Sequence, residues 1–462
     1  MNGLVKGGLA LGGLVLGLGA LRRALNPTPR YAPWEKPPYN EFEKKVLVLG
    51  GGFGGYTVAT DLCKLIGKRD DVGVLVIARD NFFTFWPMVP GIVSSDIDAR
   101  NVAQPLRRAL ILAGASFRRA RVKGVDTSKK VVEADGGLEF PYDQLIISLG
   151  GQPNFFGIPG VEEHSMTMRG VEDAVRLRNR VIERFEEVSL IRDEVPESKL
   201  TFVVIGGGAT GVEVASEIHT LVHENLAPDY PNIDPYRVRI YLIEALPNIL
   251  PELDPALRRA ARARLLNERI EVLTGAMAEE ITGDCVKLKG GKQIDTENVV
   301  WTAGNRPNQT VQDLGLPYDV RTGIKVDLTL RVEGHSDVWS VGDCAAVQDV
   351  HQEGAIVPPT AQAAIQQGRL VARNVLKTID GEGDLGEFEY KPLGQLVELG
   401  SDFAVNEVMG VRFTGMIAAV FWRMAYLVRL NSPQSKVRVA ADWIVGIFLR
   451  PAVTQIRGTS EE

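Results

Sequence analysis

The chain has 462 residues, 45% hydrophobic and 24% charged, with Lys+Arg 52 against Asp+Glu 58 and a formal net charge of −6. This mixture excludes a disordered chain, a collagen-like fibre and a polytopic membrane protein, and the acidic balance argues against nucleic-acid binding. Three cysteines exclude a disulfide-stapled secreted scaffold, whereas the 48 glycines exceed average usage by about sixteen.

Lys6, Arg22, Arg23 and Arg30 precede the first acid, Glu35, and the residues from Gly7 to Leu21 are all Gly, Ala, Leu or Val. This run is shorter than the ~20 residues that span a bilayer. Arg22 and Arg23 stand where a signal peptide would carry its small-residue cleavage site. Residues 1–25 therefore read as an apolar, Gly-rich segment in contact with a membrane, and Gly3/Gly7, Gly8/Gly12 and Gly13/Gly17 would permit close helix packing. The alternative is a glycine-rich leader without such a contact. Residues 26–43, with Pro27, Pro29, Pro33, Pro37 and Pro38, read as an extended linker.

The folded body is expected to start at Lys44. A strand over Lys44–Leu49 runs into Gly50-Gly51-Gly52-Phe53-Gly54-Gly55, followed by a helix over Tyr56–Leu65. The same event recurs 156 residues later: a strand over Leu200–Ile205, Gly206-Gly207-Gly208-Ala209-Thr210-Gly211, and a helix over Val212–Leu226. Each glycine run satisfies G-x-G-x-x-G in the strand–turn–helix context that binds a dinucleotide pyrophosphate at a helix N-terminus. Further strands are expected at Tyr142–Leu149, before Gly150; at Asn298–Ala303, before Gly304; and at Val338–Val341, before Gly342-Asp343. The chain reads as α/β, with two Rossmann-like domains.

The strand Val238–Ile243 ends at Glu244, where an acid binds the adenosine ribose and repels a 2′-phosphate, so NADH is expected there rather than NADPH. The corresponding strand of the first site, Val74–Ile77, ends at Ala78; either Asp80 or backbone groups take that ribose, or the contact is absent. Two dinucleotide sites imply traffic between two cofactors, and a flavin is the acceptor suited to a hydride. The first site is therefore assigned to FAD and the second to NADH/NAD. Thr360 is an expected N-cap for a helix whose Gln362 and Gln366 share a face, with its positive end available to a reduced flavin. His219 and His223 have metal-compatible spacing but no third ligand, so no metal site is assigned. Beyond Gly394 the chain turns apolar over Phe413–Leu430 and Val439–Leu449. Trp422, Tyr426, Trp443 and Phe448, with Arg423, Arg429, Lys436, Arg438 and Arg450, suit helices lying in a membrane interface or buried in a dimer contact.

Trp301-Thr302-Ala303-Gly304 and Val341-Gly342-Asp343, with the two fingerprints, resemble the two-dinucleotide-binding-domain flavoproteins. Asn81-Phe82-Phe83-Thr84-Phe85-Trp86-Pro87, Asn154-Phe155-Phe156-Gly157-Ile158-Pro159-Gly160 and Ala361-Gln362-Ala363-Ala364-Ile365-Gln366-Gln367-Gly368 narrow the resemblance to type II NADH:quinone oxidoreductases, over roughly residues 44–450. The resemblance implies an FAD domain at 44–168 and 302–394, an NADH domain at 169–301 and a membrane-anchoring or dimerising region at 395–462. It also implies electron transfer from NADH through FAD to a membrane quinone (ubiquinone or menaquinone) at the bilayer surface, without proton pumping, by a homodimer. Gln362 and Gln366 would line the quinone site, and Glu183 would stand between nicotinamide and quinone. The implied cofactor contacts are Gly50, Gly52, Phe53, Gly54, Gly55, Asp80, Gly150, Gly304, Gly342, Asp343 and Ala361, with Gly206, Gly208, Thr210, Gly211, Glu213 and Glu244 at the second fingerprint. The helix after the first fingerprint holds only Cys63, so the cysteine pair of the disulfide reductases is missing. A soluble ferredoxin- or rubredoxin-type reductase and an NADH-sensing flavoprotein are the rival readings.

Overall fold

A computed structural model describes residues 37–191 and 194–455. The apolar segment 1–25 and the linker up to residue 36 lie outside the described residues. The linker reading fails at its far end: Tyr39 and Phe42 are buried, and the Tyr39 hydroxyl donates to the Pro141 carbonyl at 3.0 Å. The Phe42 ring lies against Gly73, where a side chain would displace it. Aromatic area, rather than proline content, decides where the body begins.

The first sheet is built from β1 (Lys44–Leu49), β2 (Val72–Ala78), β3 (Ser116–Arg119), β4 (Gln144–Ile147) and a late strand, Val338–Ser340. All neighbours are parallel, in the order late strand, β4, β1, β2, β3. Val46, Leu47, Val48 and Leu49 are all buried, the continuous apolar run that a parallel sheet covered on both faces requires. Between β1 and β2 lies α1 (Phe53–Ile66), three residues longer at its start than the sequence suggests. The extension takes Gly54 and Gly55 into the first turn, where both are in close contact with the body.

The second sheet contains β5 (Ser165–Thr167), β6 (Thr201–Ile205), β7 (Arg239–Glu244), β8 (Ile270–Thr274) and β9 (Asn298–Trp301). It is again parallel, in the order β5, β9, β6, β7, β8. A boundary at 168/169 would leave β5 with the first domain, yet β5 pairs with β9. Helix α2 (Val171–Ser189) buries Ala174, Leu177, Val181, Phe185 and Val188, one helical face. After β6 comes α3 (Ala209–Thr220), which continues as a π-helical turn over Leu221–Leu226.

The late strand, now β10 (Val338–Ser340), returns the chain to the first sheet. Helix α4 (Ala361–Ile379) then crosses α1 at a point of small residues, where a Cβ on Gly368 would stand 2.9 Å from the Gly54 carbonyl oxygen. The crossing sets the start of α4 beside that of α1. The C-terminal region is a three-stranded antiparallel sheet, β11 (Gly394–Glu398), β12 (Ala404–Val408) and β13 (Val411–Gly415), followed by α5 (Met416–Arg429) and α6 (Pro433–Gly446). Ser432 caps α6. Among the described residues no helix is long and apolar enough to cross a membrane. Trp422 does not face outward as its composition suggested: it is 2% exposed, packed edge-to-face with Tyr426 at 4.7 Å. The outward face of α5 is instead Met416, Ile417, Val420, Phe421, Met424 and Val428.

Candidate active site

The two glycine turns have the same anatomy. Gly50 (φ +104°) and Gly206 (φ +117°) adopt a conformation that L side chains avoid, and each presses on backbone leaving the strand beside it. A Cβ on Gly55 would overlap the Gly50 carbonyl, and one on Gly211 the Gly206 carbonyl. By contrast a Cβ on Gly52 or Gly208 would meet nothing within 4 Å. In both turns the outer two glycines close the helix onto its strand, and the middle one faces open space at a helix N-terminus. A pyrophosphate needs that combination. Ala209 and Thr210 are exposed beside the second turn.

The turns differ at the next strand. Glu244 accepts from the Gly207 amide at 2.6 Å and the Leu246 amide at 2.7 Å, which fixes its carboxylate at the rim of the second turn. A Cβ on Gly207 would meet the Glu244 side chain; one on Gly51 would meet Leu106 and Ala78 instead. The first turn therefore has an apolar rim. Asp80 follows two residues after Ala78, its carboxylate paired with Arg79 at 2.9 Å on the surface. Glu244→Gln is expected to shift the NADPH/NADH ratio of kcat/KM upward by about tenfold, since a neutral amide no longer repels the 2′-phosphate. An unchanged ratio in steady-state assays would mean that Glu244 only braces the turn.

Behind the first turn, Gly342 and Asp343 stand opposite the start of α4. The Asn305 amide donates to the Asp343 carboxylate at 2.7 Å, and burial raises the Asp343 pKa against the opposing effects of Asn305 and Arg169. The Asn305 side-chain oxygen is buried without a partner. These groups line a cavity of about 230 Å³ with Thr360, Ala363 and Gln367. Thr360 caps α4 through the Ala363 amide at 3.2 Å. Gln367, absent from the sequence assignment although inside its motif, is 3% exposed and accepts from the Gly342 amide at 2.6 Å. This cavity, with the start of α4 and an orphaned polar atom in it, lies beside the open glycine turn, since Gly54 abuts Val341 and Ala364, and the combination fits the phosphate and polyol portions of FAD. Gly150 (φ +69°) leads out of β4, and Gly304 (φ +73°) out of β9 against the Phe156 ring.

Gln362 and Gln366 share a face of α4, and both amides are engaged. Gln362 bonds the Leu393 amide at 3.1 Å and the Gly394 carbonyl at 2.7 Å; Gln366 bonds the Lys391 amide and carbonyl at 3.1 and 2.8 Å. They clamp the segment that leads into the C-terminal region. Phe53, at the start of α1, begins an aromatic column: Phe53–Phe85 at 6.0 Å, Phe85–Tyr426 at 5.9 Å and Tyr426–Trp422 at 4.7 Å. The column joins the first glycine turn to α5.

Glu183 is not in this cleft. It pairs with Arg180 at 3.2 Å, and Arg180 also reaches Asn298 at the start of β9. Nucleotides bind at the carboxyl ends of parallel strands, so Glu183 sits at the opposite edge of the sheet. It lines a charged cavity of about 570 Å³ with Glu163, Arg176, Arg180 and Glu297. Glu213, in α3, lies instead against the C-terminal region, buried and accepting from the Glu398 amide at 3.3 Å. Burial pushes its pKa well above the ordinary carboxylate range.

The chain matches the pyridine nucleotide-disulphide oxidoreductase family over residues 44–368. It is 32% identical to a probable NADH dehydrogenase of Dictyostelium discoideum, over 87% of this chain and 89% of that one. It is 29% identical to a type II NADH:quinone oxidoreductase of Mycobacterium tuberculosis, over 94% of each. It is 31% identical to a demethylphylloquinone reductase of Synechocystis, over 87% of this chain and 95% of that one. The fold is that of NDH2 from Plasmodium falciparum, with a TM-score of 0.80 at 20% identity over 89% of this chain and all of that one. The chain thus belongs to the pyridine nucleotide-disulphide oxidoreductases and, within them, to the type II NADH:quinone oxidoreductases.

Proposed function

We propose that this chain performs its reaction while seated on a lipid surface through α5 and α6. It is an FAD-dependent enzyme that oxidises NADH and reduces quinone without pumping protons. Bound FAD supplies the two-electron chemistry between the two substrates. The chain's own residues bind and orient. Backbone amides at the Gly52 and Gly208 turns receive the two pyrophosphates, Glu244 takes the NADH ribose, and Asp343 with Asn305 holds the flavin side chain. The positive end of α4 favours negative charge on the flavin ring. Gln362 and Gln366 hold the Lys391–Gly394 segment as one wall of the quinone approach, and the column from Tyr426 to Phe53 forms another.

The observation that carries the lipid reading is the outer face of the two helices. Met416, Ile417, Val420, Phe421, Met424 and Val428 are joined there by Ile444, Val445, Ile447, Phe448 and Leu449, all exposed. Arg429, Lys436, Arg438 and Arg450 stand in the same region, whereas residues 411–455 contain one acid, Asp442. An apolar face accompanied by cations fits the interface plane of a bilayer. A homodimer through the same face is the competing use, with less reason for the cations. Glu398 packs on Glu213, so truncation at 395 would damage the body; surface substitutions test the idea more cleanly. With Ile417, Val420, Phe421 and Met424 all changed to Ser, vesicle binding is expected to disappear. Turnover with a long-chain quinone in vesicles should fall at least about tenfold, while ferricyanide reduction by the FAD-loaded enzyme stays unchanged. Wild-type sedimentation as a dimer that fails to float with vesicles would overturn the lipid reading, and protein that stays colourless with added FAD would overturn the flavoenzyme.

A further inference from the structure

Quinone reduction by NADH needs one proton from water. The hydride brings two electrons and one proton, so NADH, quinone and one solvent proton give NAD+ and quinol. A quinone ring drawn from lipid is screened from bulk water, and the second proton must reach it through protein.

The structure contains a buried cluster of carboxyl groups between the exposed Glu224 and the aromatic column. Helix α3 carries Glu213 and Glu217 one turn apart, both buried. Asp96 follows the Gly91–Ser94 turn packed against α3, and Glu398 ends β11. The Glu398 amide reaches Glu213, and the Arg423 guanidinium donates to the Glu398 carboxylate at 3.2 Å. One oxygen of Glu217 is buried, faces these groups and has no hydrogen-bond partner. It marks a position for a proton or a water in a site where an unpaired charge would be costly. Toward solvent, Glu224 stands exposed on the π-helical turn, within the electrostatic reach of Asp96 and Asp402. Asn225 of the same turn donates to the Ser94 carbonyl at 2.7 Å and so holds the Asp96 loop against α3. π-turns of this kind recur at functional sites. Toward the column, Tyr426 feels both Glu213 and Glu398.

We propose that Asp96, Glu217 and Glu398 form a proton-uptake path, carrying the solvent proton from Glu224 to the Glu213–Tyr426 end, where a quinone oxygen receives it. The path rests on the quinone-reductase reading above. In each turnover the inner carboxyl gives up its proton, the next carboxyl replaces it, and Glu224 recovers one from water, so the path returns to its starting state. Burial supports this role by keeping Asp96, Glu213, Glu217 and Glu398 protonated beyond the usual range. The charged and titratable groups around the path are Arg423, Tyr426 and Arg429 from α5, Arg264 from the Pro255–Asn267 helix with its partner Glu268, which accepts from Ser216 of α3, Asp402 before β12, and His223 beside Glu224. Arg423 is the cation that faces Asp96 and Glu398. These relay groups act through Glu213; they are positioning residues for the proton, not groups that touch the flavin.

The test compares two acceptors on FAD-loaded enzyme: a quinone in vesicles, which takes protons, and ferricyanide, which takes electrons only. Glu217→Gln, Asp96→Asn and the exposed Glu224→Gln are expected to cut quinone turnover by about tenfold or more while ferricyanide turnover stays within about twofold. The solvent deuterium effect on quinone turnover should rise, and Glu217→Asp should recover part of the rate. Equal losses with both acceptors, or full quinone turnover with an unchanged deuterium effect, would overturn the path. If a buried variant does not fold, Glu224→Gln decides the matter alone. Wild-type enzyme that reduces ferricyanide but no quinone would instead overturn the quinone reading.

Discussion

Gly55→Val is expected to yield a colourless protein, with FAD absorbance per chain reduced to background and NADH oxidation lost with every acceptor. The cause is local. A Cβ there overlaps the Gly50 carbonyl, so α1 must tilt off β1 and carry its amide groups away from the pyrophosphate. Overpacking of this kind costs about 1–3 kcal/mol in stability, and the misplaced helix start costs the cofactor as well. Gly52→Ala separates the two effects. Its methyl meets nothing within 4 Å, so the melting temperature should stay near wild type. The methyl nevertheless occupies the position a phosphate needs, and FAD affinity should drop by at least about tenfold, or 1.4 kcal/mol. Wild-type FAD affinity in Gly52→Ala, measured by flavin fluorescence titration, would show that the open glycine does not face the pyrophosphate.

Arg423→Gln should destabilise the fold most at alkaline pH. Glu398 is pushed up to about 8 by burial, with Arg423 as its largest opposing influence. A carboxyl whose folded pKa is raised contributes stability below its unfolded value near 4.5, and that contribution is lost as pH rises toward 8. The wild-type melting temperature should therefore decline across this window, by an amount worth on the order of 5 kcal/mol, and level off above it. Without the guanidinium the folded pKa climbs further, so the decline in Arg423→Gln continues past pH 8. Removing one partner of a buried pair costs about 3–5 kcal/mol once the other is charged, and little while it is neutral. Parallel melting curves from pH 5 to 9 for the two proteins would refute this account.

Both glycine turns, Glu244 and the Thr360 cap were legible because each is a local pattern. A few consecutive residues decide the strand, the turn and the helix start, and the middle glycine's openness follows from them. The errors fall where distant segments meet. Glu183 and Glu213 both lie on helices of the second domain, and which end of the sheet each stands at depends on the direction in which its helix runs from its strand. That direction was not legible for α2, because the short strand β5 from which it sets out carries no pattern of its own. Gln362 and Gln366 were correctly placed on one face, but their partners at Lys391–Gly394 come from a segment with no pattern of its own. Trp422 was read outward from composition; its burial reflects packing across β12, where the neighbouring α5 carbonyl of Ala418 is bonded by Asn406. Glu398 and Asp96 carry no local signal, since their chemistry arises only when four stretches of chain exclude water together.

Strand β10 places a constraint on biosynthesis. The first sheet cannot be completed until residue 340 has been made, because β10 supplies the outermost partner of β4. The second sheet, from β5 to β9, is contiguous in the chain and can finish earlier. On the ribosome, the NADH-binding unit would become protease-resistant first. The earlier-made half of the flavin domain would wait with the edge of β4 unpaired, a state open to misassociation. Flavin capture would be a late event, following emergence of α4, and the newly released chain would pass through an apoprotein stage whose lifetime depends on the supply of free FAD.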